Sequence, residues 1–370
     1  METTHRVYFE PAQRMVALVD KSVDLVVTSP PYPMIAMWDN IMSQQNPAIA
    51  DALAANNGNA AFALMHNELD TVWAEVCRIM KPGGFVCINI GDATRTLDGL
   101  FQLFSNHTRI VQFFVQQGFS CLPAILWRKP TNAPNKFMGS GMLPAGAYIT
   151  LEHEYILVFR KGGKRVFRTE LEKLYRQQSA FFWEERNQWF SDMWDIRGTQ
   201  QRLLTTTSRE RSGAYPFEIP HRLINMYSVR GDVVLDPFLG TGTTTLAAMA
   251  AGRNSIGYEV DTSFEDTFFE TISESKADGL NAVIAERFRA HREFVEKREG
   301  AALPLKHFNK PHQMPVMTNQ ETELTLLFLE SIIRQGTETK VQYAPRPTAN
   351  PAFIRPTTTR KTGQQHIFSF

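Results

Sequence analysis

The feature that most constrains the fold is an alternation of strand and helix patterns in the first quarter of the chain. Residues 22–28 are rich in β-branched side chains, residues 69–80 repeat apolar residues at helical spacing, and residues 85–90 are apolar again. Prolines at positions 30 and 31 end the first strand. A helix between two buried strands is typical of parallel sheets. The pattern therefore predicts an α/β fold with a mostly parallel sheet.

The rest of the chain continues this alternation. The further predicted elements are a helical segment over 36–66, a helix over 100–117, strands over 122–127 and 154–159, a helix over 219–227, a strand over 232–236, a helix over 243–251, a strand over 255–259, helical structure to about residue 299, and a Pro- and Thr-rich tail. Residues 129–146 form a long Pro-, Asn- and Gly-rich loop, and loops of that length are usually functional or disordered.

Composition narrows the class of protein. The 370 residues fit one large or two modest domains, and 43% hydrophobic against 21% charged residues indicates a folded core. The sequence contains no apolar run of membrane-spanning length, and residues 1–20 lack the apolar stretch of a signal peptide. Three cysteines without a CxxC pair argue against a disulfide scaffold and a cysteine-rich zinc site. We expect a cytosolic protein without a membrane partner.

The charge balance leaves room for a local basic face. A net charge of +1 excludes a uniformly basic nucleic-acid coat protein. Residues 160–211, however, contain twelve Lys and Arg against seven Asp and Glu, a net of +5, with three tryptophans interleaved. Lys161, Lys164, Arg165 and Arg168 are therefore candidate phosphate contacts, with an ordinary solvated face as the equal alternative.

A glycine turn after the strand at 232–236 suggests a nucleoside site. The sequence there is Asp-Pro-Phe-Leu-Gly-Thr-Gly, and a helix follows, so backbone N–H groups face an incoming anion. No lysine follows Gly242, which disfavours a P-loop, and Thr245 stands where a dinucleotide motif has its third glycine. Glu259 ends the next strand and can accept ribose hydroxyls. S-adenosylmethionine fits, with its ribose on Glu259 and its carboxylate at the helix; a plain strand-to-helix turn is the alternative.

The second candidate site is Thr28-Ser-Pro-Pro-Tyr32. Two prolines fix the backbone and remove N–H donors, so the Ser29 hydroxyl and the Pro30 carbonyl can accept hydrogen bonds from an exocyclic amine. Pulling those hydrogens out of the ring plane localises the nitrogen lone pair for attack on a methyl group. Tyr32 offers a flat face for a base. Taken alone, the segment also reads as a proline-rich turn.

Together, these two motifs resemble the DNA methyltransferases that modify amino groups with S-adenosylmethionine. The catalytic motif precedes the cofactor motif, as in their permuted β class, and residues 80–84, 152–159 and 215–224 match as well. The resemblance spans about residues 5–275. It implies a Rossmann-like fold of permuted motif order, a target-recognition region inserted between the halves, and double-stranded DNA as partner. It leaves open whether a cognate restriction endonuclease shares the site. Ser29 favours cytosine N4 as the methylated amine, and adenine N6 is the alternative.

The motifs and their neighbouring strand supply the candidate site residues. The catalytic candidates are Ser29, Pro30, Pro31, Tyr32 and Asp92, and the cofactor candidates are Phe217, Asp236, Phe238, Gly240, Gly242, Thr243, Thr244 and Glu259. Asp92 ends a neighbouring strand, so its carboxylate is a candidate to orient Ser29 or accept a proton through it, although Gly-Asp is also ordinary turn chemistry. We predict no metal, because alternation along a strand points Glu152 and Glu154 away from His153.

The predicted organisation has four parts: a catalytic half over 1–160, the recognition region over 161–214, a cofactor-binding half over 215–299, and an extension over 300–370. Three features depart from the family: Phe9-Glu10 where relatives often carry Gly-Asp, a long connection over 34–66, and the extension itself. Two rival functions are an RNA or protein-amide methyltransferase, disfavoured by the motif order, and a DNA-binding protein on a decayed methyltransferase fold, disfavoured by the intact motifs.

Overall fold

A computed structural model describes residues 1–129, 140–197, 215–273, 276–303 and 305–344. Most of the predicted loop over 129–146, residues 198–214 of the predicted recognition region, and residues 345–370 of the tail lie outside the described residues. In the described part, no helix is both long enough and apolar enough to cross a bilayer.

The described elements follow each other in the chain as strands and helices of ordinary length. They are β1 Glu2–Tyr8, β2 Val23–Thr28, α1 Asp39–Gln45, α2 Pro47–Ala54, α3 Gly58–Ile79, β3 Met80–Ile90, β4 Ala93–Leu97, β5 Leu100–Phe104, α4 Asn106–Gln116, β6 Phe119–Arg128, β7 His153–Lys161, α5 Glu170–Gln178, α6 Trp183–Trp189, β8 Met193–Asp195, α7 Glu218–Tyr227, β9 Val233–Asp236, α8 Thr243–Ala251, β10 Asn254–Tyr258, α9 Glu265–Thr271, α10 Ala277–Gly300, β11 His307–Asn309, β12 Met314–Val316, β13 Phe328–Gln335 and β14 Glu338–Ala344.

Ten of the described strands form one sheet in the order β13-β14-β1-β10-β9-β2-β3-β7-β6-β8. The central five, β1 to β3 in that order, pair in parallel. Antiparallel strands extend both sides, β14 against β1 and β7 against β3. The predicted α/β fold with a mostly parallel sheet is confirmed.

The sheet reverses its winding between β2 and β9, which pair through Leu25 and Val26. From β2 the chain passes through α3 to β3 on one side, and from β9 it passes through α8 to β10 on the other. The loops that leave β2 and β9 therefore diverge and open a crevice at their carboxyl ends. In open α/β sheets, ligands bind at such a point.

Apolar cores cover both faces of the sheet. Leu25 and Val27 pack in the core that contains Leu246 of α8, whereas Val26 packs in the core that contains Val76 of α3. Successive residues of β2 thus serve opposite faces, as the two-residue period of a strand requires. Because every residue of β2 is buried, the crevice between β2 and β9 stands on a rigid base.

The predicted helix over 100–117 is wrong in its first part. Residues 93–104 form a hairpin of β4 and β5, and the helix α4 begins only at Asn106. The turn is Asp98-Gly99, and both residues have a positive φ. Asp-Gly is the turn that two-residue hairpins favour, so the sequence carried a hairpin signal that helical periodicity concealed.

Strands at both ends of the chain were not predicted. β1 joins the parallel core beside β10, and β14 and β13 from the tail then cover β1. The chain after α10 is therefore not only Pro- and Thr-rich: residues 328–344 form a hairpin with a turn at Gly336, whose φ is positive. These strands close the edge of the sheet on the side of the cofactor motif.

Candidate active site

The two sequence motifs line one cavity. The cavity has a volume of about 390 Å³, within the usual range for small-molecule sites, and it lies at the carboxyl ends of β2 and β9. From the first motif it is lined by residues 29–32, and from the second by residues 236–241, 243 and 244. The two segments lie two hundred residues apart in the chain, but they share one cleft because their strands are neighbours in the sheet.

Asp236 joins the two motifs through its buried carboxylate. Thr28 donates to one oxygen (2.6 Å) and Thr244 to the other (2.5 Å). The Phe238 amide and the Tyr215 hydroxyl also donate, at 3.0 and 3.4 Å. Burial raises the pKa of Asp236, and the donated hydrogen bonds oppose that rise. Asp236 therefore fixes the end of β2, the glycine turn and the start of α8 relative to each other.

The glycine turn has a shape that side chains oppose. Gly242 has a φ of +91°, and a Cβ there would lie 2.7 Å from a ring carbon of Phe268. Gly242 precedes α8, whose first residues Thr243 and Thr244 line the cavity. The unpaired N–H groups at the start of this helix favour an anion there.

Glu259 follows β10 and holds the turn from the other side. Its carboxylate accepts from the Gly240 amide and from the Asp261 amide, both at 2.8 Å. Burial raises its pKa, and the two amide hydrogen bonds oppose the rise. A carboxylate has about four acceptor positions, so Glu259 retains capacity for a ligand while it supports the turn.

Ser29 belongs to a chain of hydrogen bonds. Its hydroxyl lies 3.1 Å from the Tyr32 hydroxyl, which donates to Glu154 at 2.8 Å. Asn89, at 3.4 Å from Ser29, donates to both the Tyr32 hydroxyl and Glu154 at 2.7 Å. Burial, together with the charge of Glu154, raises the pKa of Tyr32 well above its usual value. Lys129 forms an ion pair with the other oxygen of Glu154. The proline motif therefore ends in a partly buried, charged cluster.

Asn106 supports the loop of the first motif from below. Its side-chain amide donates to the carbonyl of Pro33 (3.1 Å) and to that of Gly91 (2.9 Å), and its oxygen bonds His66 at 2.9 Å. Burial lowers the pKa of His66 to about 4, so its ring is neutral near pH 7. Asn106 thus ties the end of the proline motif to the end of β3.

Asp92 and Phe217 do not take the predicted positions. The Asp92 carboxylate bonds the His107 ring (2.8 Å) and the His107 amide (3.1 Å), which satisfies the first turn of α4. Among the described residues, the hydroxyl of Ser29 has Tyr32 and Asn89 as partners instead. Phe217 is buried against His221 with ring centroids 5.3 Å apart; Tyr215 lines the cavity in its place.

The predicted phosphate contacts lie at the opposite end of the sheet. Lys161 donates to backbone carbonyls at the end of α3, and Arg165 forms a bidentate ion pair with Asp232. Arg165 packs beside Gly83, at the start of β3. Gly91 follows β3 and lies eight residue steps after Gly83, roughly 26 Å at about 3.3 Å per residue. The structure thus corrects the prediction for Lys161 and Arg165, while Lys164 and Arg168 are exposed in the same segment.

Sequence reasoning missed Asn89, Lys129 and Glu154 as site residues. Glu154 is the second residue of β7, which runs antiparallel to β3, so the start of β7 lies beside the end of β3. The sequence signal was present in the 152–159 segment, but strand direction decides which end of it reaches the site. In the described ranges no three His, Cys, Asp or Glu side chains group as metal ligands would.

A profile of the DNA methylase family, of the N6/N4 type, matches residues 23–270, which is 248 of the 370 residues. This chain belongs to the DNA methylase family. The methylase is 52% identical over 330 residues to the Type II methyltransferase M.MthZI of Methanothermobacter thermautotrophicus, a match that covers 89% of this chain and 91% of the relative. It is 48% identical over 281 residues to M.MjaI of Methanocaldococcus jannaschii, covering 73% and 91%.

Solved structures resemble the methylase as well. TTHA0409, a DNA modification methylase of Thermus thermophilus solved in complex with S-adenosyl-L-methionine, is 31% identical with a TM-score of 0.55, covering 72% of this chain and 92% of that one. The PvuII DNA methyltransferase, 16% identical with a TM-score of 0.51, covers 73% and 87% and supports the Rossmann-like fold alone.

Proposed function

We propose that this DNA methylase transfers a methyl group from S-adenosylmethionine to the N4 amine of cytosine in duplex DNA. The observation that carries the proposal is the single cavity lined by both motifs. It brings an amine-accepting hydroxyl, Ser29, next to a glycine turn suited to a nucleoside with one anionic group. Membership of the DNA methylase family supports methyl transfer as the reaction. The residues that line the cavity are the groups proposed to bind the amine and the methyl donor.

The residues present fit S-adenosylmethionine. Glu259 offers remaining acceptor capacity for ribose hydroxyls, and the N–H groups at the start of α8 offer donors for a carboxylate. Tyr258 lines the cavity, and its buried hydroxyl has no partner in the described part of the chain, which favours a polar ligand. When bound, this cofactor supplies a methyl group on a positively charged sulfur. That the relative TTHA0409 was solved with S-adenosyl-L-methionine supports the assignment.

The chain's own residues bind and orient the target amine. Ser29 Oγ and the Pro30 carbonyl accept its two hydrogens, which directs the nitrogen lone pair away from the ring system. The target base must leave the duplex to reach Ser29, at a cost of a few kcal/mol. Holding the amine in line with the methyl donor then supplies about 7–11 kcal/mol of the barrier reduction.

Cytosine N4 is proposed over adenine N6 because Ser29 stands where adenine-modifying enzymes more often carry Asp or Asn. We also propose a role in restriction and modification, since M.MthZI and M.MjaI are Type II methyltransferases. In that role a cognate endonuclease shares the recognition sequence, and no stable complex with the methylase is required.

Target recognition is proposed for the part of residues 161–214 that returns to the site. β8 pairs with the carboxyl end of β6, at the same edge as the cavity. The segment before α5 carries Lys161 and Arg165 at the end of the sheet away from the cavity, so this segment is not part of the proposed recognition region. The catalytic half over 1–160, the cofactor half over 215–299 and the extension over 300–370 remain proposed units.

The decisive experiment uses cofactor with a labelled methyl group. The protein is incubated with this cofactor and mixed double-stranded DNA, and the DNA is digested and analysed by mass spectrometry. Labelled N4-methylcytosine supports the full proposal, and labelled N6-methyladenine corrects the base while keeping the reaction. Cofactor binding without transfer to any DNA would overturn the proposal in favour of a decayed, DNA-binding protein.

A further inference from the structure

The hydrogen bonds around Ser29 form a chain with a fixed end. Ser29 contacts the Tyr32 hydroxyl (3.1 Å), Tyr32 contacts one oxygen of Glu154 (2.8 Å), and Lys129 pairs with the other oxygen. Only 13% of the Glu154 side chain is exposed. This chain of hydrogen bonds therefore runs from the proline motif to a mostly buried carboxylate on a different strand.

The charge of Glu154 decides the direction of every hydrogen bond in this chain. An ionised carboxylate only accepts, so Tyr32 donates its hydroxyl hydrogen to Glu154. Asn89 donates to the same carboxylate and to the Tyr32 oxygen, both at 2.7 Å. The Tyr32 oxygen then has one lone pair left, and the Ser29 hydroxyl donates to it. Asn89 donates a long hydrogen bond (3.4 Å) to Ser29 Oγ, which leaves the remaining lone pair of Ser29 to accept a hydrogen from a substrate.

The geometry points to Glu154 as the residue that makes Ser29 a hydrogen-bond acceptor. We propose that Glu154 is a positioning residue, acting through Tyr32, and that it selects substrates that donate hydrogens, such as an exocyclic amine, against those that offer a carbonyl or ring nitrogen. This inference rests on the proposed function. A neutral side chain that donates from position 154 reverses the direction of these hydrogen bonds. Tyr32 then donates to Ser29, and the Ser29 hydrogen turns toward the substrate.

Two neighbours keep Glu154 in this role. Lys129 compensates its charge, and the Lys129 ammonium also lies 4.2 Å from the centre of the Trp127 ring, which holds it in place. Gly91 lies against both Glu154 and Tyr32. A Cβ at this position would lie 3.0 Å from the Tyr32 ring and 3.3 Å from Glu154 Cγ. The absence of a side chain at Gly91 allows the two groups to meet.

The test is Glu154→Gln, which keeps the size of the side chain and adds a donor. We expect kcat for DNA methylation to fall about 10²-fold, the low end of the contribution of a positioned acid–base group. The KM for DNA, from the same kinetics, should stay within about twofold of wild type. The Kd for S-adenosylmethionine, measured by calorimetry, should also stay within about twofold. Glu152→Gln, which neutralises the exposed carboxylate two residues away, should match wild type in all three values.

A double-mutant cycle with Tyr32→Phe separates this role from general damage. Removing the Tyr32 hydroxyl breaks the chain, so Tyr32→Phe should lower kcat and Glu154→Gln should then have no further effect. Wild-type kcat in Glu154→Gln, or independent effects that multiply in the double variant, would overturn the inference. If Glu154→Gln does not fold, undiminished kcat in Tyr32→Phe alone overturns it. A wild-type protein that methylates no DNA counts instead against the proposed function.

Discussion

At the residue scale, each side chain of the site depends on partners from distant segments. Ser29 is polarised through Tyr32 by Glu154, which lies on a strand more than a hundred residues later. Asp236 receives hydrogen bonds from Thr28 and Thr244, on opposite sides of the crevice. The hydrogen-bond partners of each site residue therefore depend on which strand ends lie next to each other in the sheet.

Replacing Ser29 by alanine should slow methyl transfer strongly and spare cofactor binding. The variant loses the hydroxyl that accepts the amine hydrogen, and it leaves Asp236 and the glycine turn intact. We expect kcat to fall by about 10²–10³-fold, the cost of losing one well-placed polar group, with the Kd for S-adenosylmethionine unchanged in calorimetry. Methylation at the wild-type rate would contradict the assigned role.

Gly240 and Gly242 provide a matched pair of substitutions. Both have a positive φ, but a Cβ at Gly240 meets nothing within 4 Å whereas one at Gly242 meets Phe268 at 2.7 Å. Gly240→Ala should cost about 1 kcal/mol of unfolding free energy. Gly242→Ala should cost about 1–3 kcal/mol more because of the added clash, and it should weaken cofactor binding at least tenfold. Equal losses in urea unfolding would show that the contact with Phe268 is unimportant.

At the element scale, the start of α4 supports the catalytic loop. Asn106, the first residue of the helix, is fully buried and bonds two carbonyls that end other segments, those of Pro33 and Gly91. The hairpin of β4 and β5 places α4 at this point, so an element that the sequence pattern obscured controls the position of the proline motif.

Asn106→Ala should therefore affect stability and catalysis together. Two buried carbonyls lose their donor, and we expect the unfolding free energy to fall by about 2–4 kcal/mol. The kcat for methylation should also fall at temperatures where the variant is folded, while the Kd for cofactor stays the same. Thr108→Ala, an exposed change in the same helical turn, serves as the control. Loss of stability with normal kcat would limit Asn106 to a structural role.

At the scale of the whole molecule, the parallel core is closed on the cofactor side by strands from the chain's two ends. His5 of β1 is buried between β10 and β14, and its ring bonds Ser255 and Thr3, both at 2.8 Å. Burial lowers the pKa of His5 to about 3. The interior of the sheet on this side therefore contains a histidine that the fold keeps neutral.

This burial predicts a stability that declines in acid. In the unfolded chain His5 takes up a proton below about pH 6.5, whereas the folded protein resists protonation down to about pH 3. Stability should therefore fall as the pH drops from about 6.5 toward 3, by about 2.5 kcal/mol from this group between pH 6.5 and about 4.5. His5→Gln should be less stable near pH 7 but less dependent on pH, as measured by urea unfolding. Parallel pH curves for both proteins would contradict this.

Much of the fold followed from local patterns. The strands at β2, β3 and β9 and the helix α8 were predicted because apolar runs, helical spacing and Pro or Gly boundaries act over a few residues. The strands β1, β13 and β14 were not predicted, since their pairing partners lie elsewhere in the chain. In the site, Ser29, Tyr32, Gly242 and Glu259 were found through motifs, whereas Asn89, Lys129 and Glu154 required the sheet order.

The sequence by itself determined the chemistry that the chain carries: an amine-accepting proline motif, a glycine turn for a nucleoside, and an α/β framework to hold them. Only the tertiary structure decided which groups meet. The pairing of β2 with β9 brings the two motifs to one cavity, and the antiparallel course of β7 brings Glu154, rather than Asp92, into the hydrogen-bond chain of Ser29. Residue types fix what a group can donate or accept, but strand order and direction fix its neighbours.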